Sequence, residues 1–282
     1  MIVINEVKAM KAHVRMIRSK KQTIALVPTM GYLHEGHVNL MHKARNLADH
    51  LIISIFVNPT QFGAGEDLDR YPRDLDRDKK LAAQARVECI FHPTPEQMYP
   101  AGYATYVDVE GITAGLCGAS RPTHFRGVAT VCAKLFNIIE PDVAVFGEKD
   151  FQQLAVIKRM VEDLNMNVQI VPHHTVREED GLAMSSRNTY LSPEERKNAT
   201  VLYRSLLKAR DLYQAGEHDA QAVRAAAIAM VESTPGAQID YIEIVDPVHL
   251  RPLDTIEPGA VMAMAVKFGR TRLIDNLVIA VS

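Results

Sequence analysis

Tryptophan is absent from the chain, aromatic residues make up only 6% of it, and cysteine occurs three times in 282 residues. So few aromatic side chains argue against a surface of stacking platforms for single-stranded nucleic acid. The cysteines, Cys89, Cys117 and Cys132, are odd in number and form no CxxC pair. That argues against a disulfide framework and against a zinc site, and reduced, partly buried thiols are expected. A dominant charge is also lacking: 32 basic residues stand against 34 acidic ones, a formal net charge of −2. No global field therefore favours nucleic acid or a membrane surface. The longest apolar runs, such as residues 51–57, are strand-sized and far short of a membrane span. The opening residues 1–6 hold no basic region leading into an apolar stretch, as a signal peptide requires. A cytoplasmic protein is expected. Neither GxGxxG nor GxxxxGK[ST] is present, which removes the main support for a dinucleotide site or a P-loop.

What the sequence does have is apolar material, 47% of the residues, enough for a sizeable core and two unequal domains. Short apolar runs at 23–28, 51–57, 87–91, 142–146 and 167–171 read as buried strands. Between them, 36–48, 73–85, 123–139 and 151–164 read as helices. This alternation predicts βαβ units and a doubly wound parallel sheet covered by helices on both faces. The polar stretch 58–70 and the Pro- and Tyr-bearing stretch 93–116, with one short strand candidate at 105–109, interrupt it. Loops this long usually carry function or are mobile. Past Arg187 the texture changes. Ser192-Pro193-Glu194-Glu195 opens a helix running to about 215, and a second runs from 219 to 231. Strand candidates at 239–245, 260–266 and 272–280 follow. The expected division is a first α/β domain over 1–180 and a smaller C-terminal α+β domain over 181–282.

Three segments carry the chemistry. Pro28-Thr29-Met30-Gly31-Tyr32-Leu33-His34-Glu35-Gly36-His37 leaves a strand and opens a helix. Ligands of open α/β sheets bind at such strand ends, beside helix N-termini. His34 and His37, three apart, share one helix face. Two imidazoles with free N–H groups suit a polyphosphate whose charge must be stabilised as a bond breaks. A single histidine would more simply decorate the helix. The second segment, Phe146-Gly147-Glu148-Lys149-Asp150, also lies between strand and helix. Lys149 is a point charge suited to phosphate, and Asp150 suits ribose hydroxyls or a helix cap. A surface turn explains this segment equally well on its own. Gln152 and Gln153 follow, facing a cleft or water. In the third, Met184-Ser185-Ser186-Arg187, two hydroxyls and a guanidinium fit phosphate oxygens. The acidic run 67–78 (DLDRYPRDLDRD) interleaves arginines and reads as a solvated, salt-bridged face rather than a metal site.

Together these segments resemble the pantoate–β-alanine ligase family, of the nucleotidyltransferase superfamily of adenylating enzymes. The resemblance spans nearly the whole chain. It rests on PTMGYLHEGH (28–37), FVNPTQF (56–62), HFRGVATV (124–131), FGEKDFQQL (146–154) and MSSRNTYLS (184–192). His34-Glu35-Gly36-His37 resembles the superfamily's HxGH signature, and Met184 to Arg187 take the place of its KMSKS-like loop. The resemblance implies a Rossmann-like nucleotidyltransferase fold and a reaction in two stages. Pantoate carboxylate attacks the α-phosphate of ATP to give pantoyl adenylate and pyrophosphate. The amine of β-alanine then displaces AMP to give pantothenate.

By motif, ATP falls to Met30, Gly31, Tyr32, Leu33, His34, Glu35, Gly36 and His37, to Gly147, Glu148, Lys149 and Asp150, and to Met184, Ser185, Ser186 and Arg187. Val176 is implied to meet adenine through its backbone. Gln61 and Gln153 are implied to hydrogen-bond pantoate, with Gln61 also near the β-alanine path. Neutral amides suit a carboxylate that must stay nucleophilic. His37 is the implied proton-transfer group, His34 and Lys149 stabilise phosphate charge, and Mg²⁺ comes with ATP, its protein ligands unknown. A homodimer formed through the N-terminal domain is implied as well. Two rivals share the fold: a nucleotidyltransferase acting on a phosphorylated acceptor, which needs more basic residues than the Gln61/Gln153 pair offers, and a catalytically dead nucleotide sensor.

Overall fold

A computed structural model describes residues 1–280. In chain order the strands are β1 (Ile2–Ile4), β2 (Ile24–Thr29), β3 (His50–Ile55), β4 (Cys89–Phe91), β5 (Val143–Gly147), β6 (Gln169–His173), β7 (Ala237–Val245), β8 (Val261–Phe268) and β9 (Thr271–Val278). The first helices are α1 (Val7–Ser19), α2 (Glu35–Arg45), α3 (Leu75–Gln84), α4 (Pro95–Met98) and α5 (Cys117–Ser120). They are followed by α6 (His124–Ile139), α7 (Phe151–Asp163), α8 (Pro193–Asn198), α9 (Val201–Gln214) and α10 (Ala220–Glu232). Two compact units result. One comprises Met1–Val109, Arg121–Glu148 and Val156–His174; the other Glu110–Ser120, Lys149–Ala155 and the chain from Thr175 onward. No described helix is long and apolar enough to cross a membrane.

The first unit holds a six-stranded parallel sheet in the order β1-β4-β3-β2-β5-β6. The chain winds outward from β2 through β3 to β4, then resumes on the other side of β2 with β5 and β6. The direction of winding reverses between β2 and β5, and there the carboxyl ends of strands leave a crevice. Residues 24–27 and 51–55 are buried throughout, because alternate side chains enter opposite helical layers. Ala25, Val27, Leu51 and Ile53 pack with Met41 and Ala44 of α2 and Ala82 of α3, while α1 and α6 touch each other and α6 meets β2. β1 escapes a periodicity search because it is three residues long and largely exposed. β6 is only half-buried, as befits an edge strand.

The second unit is an antiparallel sheet β7-β8-β9 against which α9 and α10 pack a core including Leu202, Leu206, Val223, Ala227, Ile242, Met262 and Phe268. Two expectations fail locally. Residues 105–109 form no strand: the Val107 amide donates to Thr130 Oγ1 (3.0 Å) instead of to a neighbouring strand. The helix from Ser192 starts as its sequence predicts, with a reciprocal cap between Ser192 and Glu195. It then breaks at Ala199–Thr200, where the Thr200 hydroxyl donates to the Lys197 carbonyl (2.9 Å), a local bond that competes with helix continuation. All three cysteines are buried free thiols, and burial pushes Cys89 and Cys132 up to about 12.

The imidazoles of His13 on α1 and His50 on β3 each bury a ring nitrogen, Nε2 and Nδ1 respectively, that meets no partner. Burial, then the charge of His50, lowers the His13 pKa below its ordinary value. A base whose folded pKa is depressed binds fewer protons folded than unfolded. Its contribution to stability is therefore complete above an ordinary histidine pKa of about 6.5 and shrinks as pH falls below it. Urea midpoints should drop from pH 7 to pH 5, and His13→Leu should lessen that drop. An identical drop in the variant would remove His13 from the acid sensitivity.

Candidate active site

β2 ends at Thr29, whose hydroxyl donates to the Ser54 carbonyl (2.7 Å) and accepts the Gly31 amide (3.1 Å). The chain then turns through left-handed backbone at Gly31 (φ 83°) and Tyr32 (φ 50°). A Cβ at Gly31 would stand 2.9 Å from Ile55 Cγ2 and 3.0 Å from Asp78 Oδ2, so only glycine fits. Asp78 closes the turn from α3: Oδ2 accepts the Tyr32 amide (2.8 Å) and Oδ1 the Leu33 amide (2.7 Å). Leu33 is fully buried, and His34 becomes the N-cap of α2.

The two imidazoles lie 4.0 Å apart between ring centroids, tilted by 41°. The His34 amide donates to His37 Nδ1 (3.3 Å). A ring nitrogen that accepts an amide proton carries none itself, so neutral His37 holds its proton on Nε2. His37 thus offers an N–H donor. The loop amides are less available than the sequence suggested. Those of Gly31, Tyr32, Leu33 and His34 bond within the protein, and His37 N–H bonds the His34 carbonyl (2.9 Å). The first two amides of α2, on Glu35 and Gly36, lie outside the intrahelical ladder, a position that suits anions in general.

Gln61 sits on the turn after β3, buried at 8% exposure. Asn58 caps this turn: its Nδ2 donates to Gln61 Oε1 (3.1 Å) and to the Gly127 carbonyl (3.1 Å), and its Oδ1 accepts the Tyr99 hydroxyl (2.7 Å). Gln61 Nε2 lies 3.2 Å from Met30 Sδ, a soft acceptor that a polar substrate atom would readily displace. Arg121 donates to the Gln61 carbonyl (3.2 Å) and pairs with Glu66 (2.6 Å). Burial raises the Glu66 carboxyl pKa, but the Arg121 hydrogen bond and charge outweigh it and the net shift is downward. Gly127 is required on α6, since a Cβ there would lie 2.3 Å from the Thr60 carbonyl oxygen.

Gly147 ends β5, adjacent and parallel to β2, and Glu148 follows it, so they leave the same sheet edge as the 30–37 loop. Glu148 Oε2 meets His174 Nδ1 at 3.1 Å. Lys149, Asp150, Gln153, Val176 and Met184, Ser185, Ser186 and Arg187 belong to the second unit. There the Asn276 side chain of β9 donates to the Lys149 carbonyl (2.9 Å). Val176 starts a small antiparallel hairpin: Met184 N–H donates to its carbonyl (2.9 Å) and Glu178 N–H to that of Leu182 (2.8 Å). Arg177, within it, grips Asp275 by two bonds (2.7 and 3.0 Å). The hairpin delivers Met184 and Ser185 to a 3₁₀ turn, Ser186–Tyr190, capped by the Ser185 hydroxyl accepting Arg187 N–H (3.2 Å). Gln153 is half-buried. Gln152, whose side chain could have faced a cleft or water, is instead buried. It donates to the carbonyls of Ile112 (2.9 Å) and Gly115 (2.8 Å) and accepts the Cys117 amide (2.9 Å).

Asp78, Asn58, Arg121, Asp275 and Asn276 escaped the sequence reading. Asn58 had a signal in the Asn-Pro step after a strand, a turn starter. Asp78 had one too, as the polar member of the stripe Leu75, Asp78, Ala82, Ala85 on α3. The acidic run is therefore no uniform solvated face: Asp76 is exposed and pairs with Lys79 (3.2 Å), whereas Asp78 is 1% exposed. Among the described residues no group of three or more His, Cys, Asp or Glu is arranged to hold a metal ion.

A family model described as pantoate-beta-alanine ligase matches residues 2–278. The pantothenate synthetase of Pelotomaculum thermopropionicum is 58% identical over 279 residues, 99% of each chain. That of Acetivibrio thermocellus is 56% identical over the whole of both. Among solved structures, the pantothenate synthetase of Thermus thermophilus superposes with a TM-score of 0.95 at 48% identity, covering 99% of each chain. The pantoate-beta-alanine ligase of Francisella tularensis, solved in complex with beta-gamma ATP and beta-alanine, gives a TM-score of 0.81 at 32% identity over 100% of this chain and 99% of that one.

Proposed function

The chain belongs to the pantoate–β-alanine ligase family and is an enzyme of that type, and from that premise we propose that it forms pantothenate through a pantoyl adenylate, releasing pyrophosphate and then AMP. The observation that carries the reading is one cluster at the end of the parallel sheet. The paired imidazoles of His34 and His37 sit on the loop that also bears Met30, and the buried amide of Gln61 lies 3.2 Å from Met30 Sδ. That the loop bearing both imidazoles also meets the Gln61 amide through Met30 supports a donor for phosphate charge beside a neutral amide for a carboxylate.

In the first stage ATP lies along residues 30–37, its α-phosphate near the Nε2–H of His37, with the amides of Glu35 and Gly36 towards phosphate oxygens. Gln61 orients pantoate without quenching its carboxylate, so that an oxygen attacks the α-phosphorus in line and pyrophosphate leaves. Lys149 and the Ser185, Ser186 and Arg187 stretch take up charge on the departing pyrophosphate. In the second stage the amine of β-alanine attacks the acyl carbon and AMP departs. The ligand set of the Francisella relative, a nucleotide and β-alanine, fits both stages. Mg²⁺ is proposed to arrive on the triphosphate, held by phosphate oxygens and water. No covalent protein nucleophile is needed; orientation and charge stabilisation suffice.

Incubation with ATP, Mg²⁺, pantoate and β-alanine should yield AMP and the amide product by mass spectrometry. Folded protein giving neither, but releasing pyrophosphate with a phosphorylated acceptor, would reverse the reading. Gln61→Ala should raise the KM for pantoate by about tenfold, the scale of one lost hydrogen bond of about 1.4 kcal/mol, and leave ATP affinity near wild type. Equal losses of both would displace Gln61 from the acid's side of the site.

A further inference from the structure

Five aspartates lie between residues 67 and 78, and three of them divide the work of α3. Asp74 caps the helix by accepting Arg77 N–H (3.0 Å), and Asp76 is exposed beside Lys79. Asp78 alone turns inward, one helical turn before the buried Ala82. A buried carboxylate is expensive unless it is hydrogen-bonded. This one is held by backbone amides from a single dipeptide, Tyr32 and Leu33, as charge-assisted bonds. Tyr32 is not glycine, yet it sits at φ 50°, a conformation that disfavours an ordinary residue by about 1–2 kcal/mol. The two bonds fall on the strained residue and its successor, immediately before His34.

We propose that Asp78 is a positioning residue of the reaction: it pins the left-handed Gly31–Tyr32 turn and thereby sets the aim of His34 and His37. The inference rests on the ligase reading above. Without the carboxylate, two buried amides lose their acceptor and Tyr32 is free to relax towards negative φ. That rotation swings the chain at Leu33 and carries both imidazoles with it. A displacement of about 1 Å at a reacting group is worth about 10²-fold in rate.

Asp78→Asn is the test, because its amide keeps one acceptor but turns a donor towards the second backbone N–H. The kcat for pantoate-dependent pyrophosphate release, per folded molecule, should fall by about 10²-fold, while the KM for β-alanine stays put. In a background that carries both His34→Ala and His37→Ala the same change should have little further effect, since Asp78 acts through those two rings. The imidazole C–H resonances of His34 and His37 should move in Asp78→Asn and hold still in Asp76→Asn. Should Asp78→Asn not fold, Asp78→Glu keeps the charge and displaces it by one methylene, and the same readings apply. An unchanged kcat, losses that still multiply when both imidazoles have been removed, or unmoved imidazole resonances in Asp78→Asn would each overturn the assignment. A wild-type chain inert towards pantoate would refute the ligase reading instead, and the resonances would still decide the part played by Asp78.

Discussion

His37→Ala is expected to slow pantoyl adenylate formation by about 10²-fold or more, the scale of a lost proton donor or charge-stabilising group. The reason lies in how the ring is held. His34 N–H occupies Nδ1, so the neutral ring carries its proton on Nε2. Single-turnover pyrophosphate release measures the step directly, free of product release. Alanine also strips the His34 amide of its acceptor, so His37→Asn is the necessary companion. An Asn carbonyl oxygen can reach the place of Nδ1 while nothing replaces Nε2–H. Both variants should be equally slow. Recovery in His37→Asn would make the ring a mere cap for α2, and an unchanged rate in His37→Ala would remove it from the chemistry.

Much of the scaffold around this candidate site could be read from the sequence because its parts obey local rules. The 30–37 loop announces itself as a glycine-bearing step from an apolar strand into a helix, and β2 and α2 stand where that step requires them. The C-terminal elements are legible in part for the same reason: Ser192 and Glu195 cap α8, although nothing local announces the break before α9, and β7 to β9 follow the Pro, Gly and Asp punctuation. What stayed hidden depends on partners distant in the chain. Asp78 differs from Asp76 only by the face of α3 it occupies, and that face is settled by what α3 packs on. Gln152 and Gln153 are adjacent and chemically identical, yet one is buried against carbonyls of 112 and 115 and the other is half-buried. No local pattern separates them. Residues 105–109 had the alternation of a strand but found a threonine hydroxyl on α6 in place of a partner strand. Alternation fixes which faces differ, not what lies opposite.

The largest expected loss of stability comes from the second unit. Asp275 is fully buried at its side chain and Arg177 nearly so, at 15% exposure. The guanidinium stacks 3.9 Å from the Tyr203 ring and also reaches the Gly181 carbonyl (3.1 Å), so the pair ties the 176–184 hairpin to β9. Arg177→Met leaves a carboxylate buried without its cation, and breaking such a pair costs about 3–5 kcal/mol. Replacing both partners by apolar residues is far milder, so Arg177→Met with Asp275→Leu should recover most of the loss in urea unfolding. The pH dependence gives an independent check. Burial already raises the Asp275 pKa, with Arg177 pulling against it most strongly, and losing Arg177 leaves burial opposed only by the Asn276 amide and the charge of Lys149. A carboxyl whose folded pKa exceeds its unfolded value binds more protons folded, so stability declines as pH rises above the unfolded value. Arg177→Met should therefore gain stability on acidification from pH 8 to pH 5, and the double variant should show no such gain. Equal stability of the single and double variants at pH 8 would mean that the buried charge is not what the hairpin depends on.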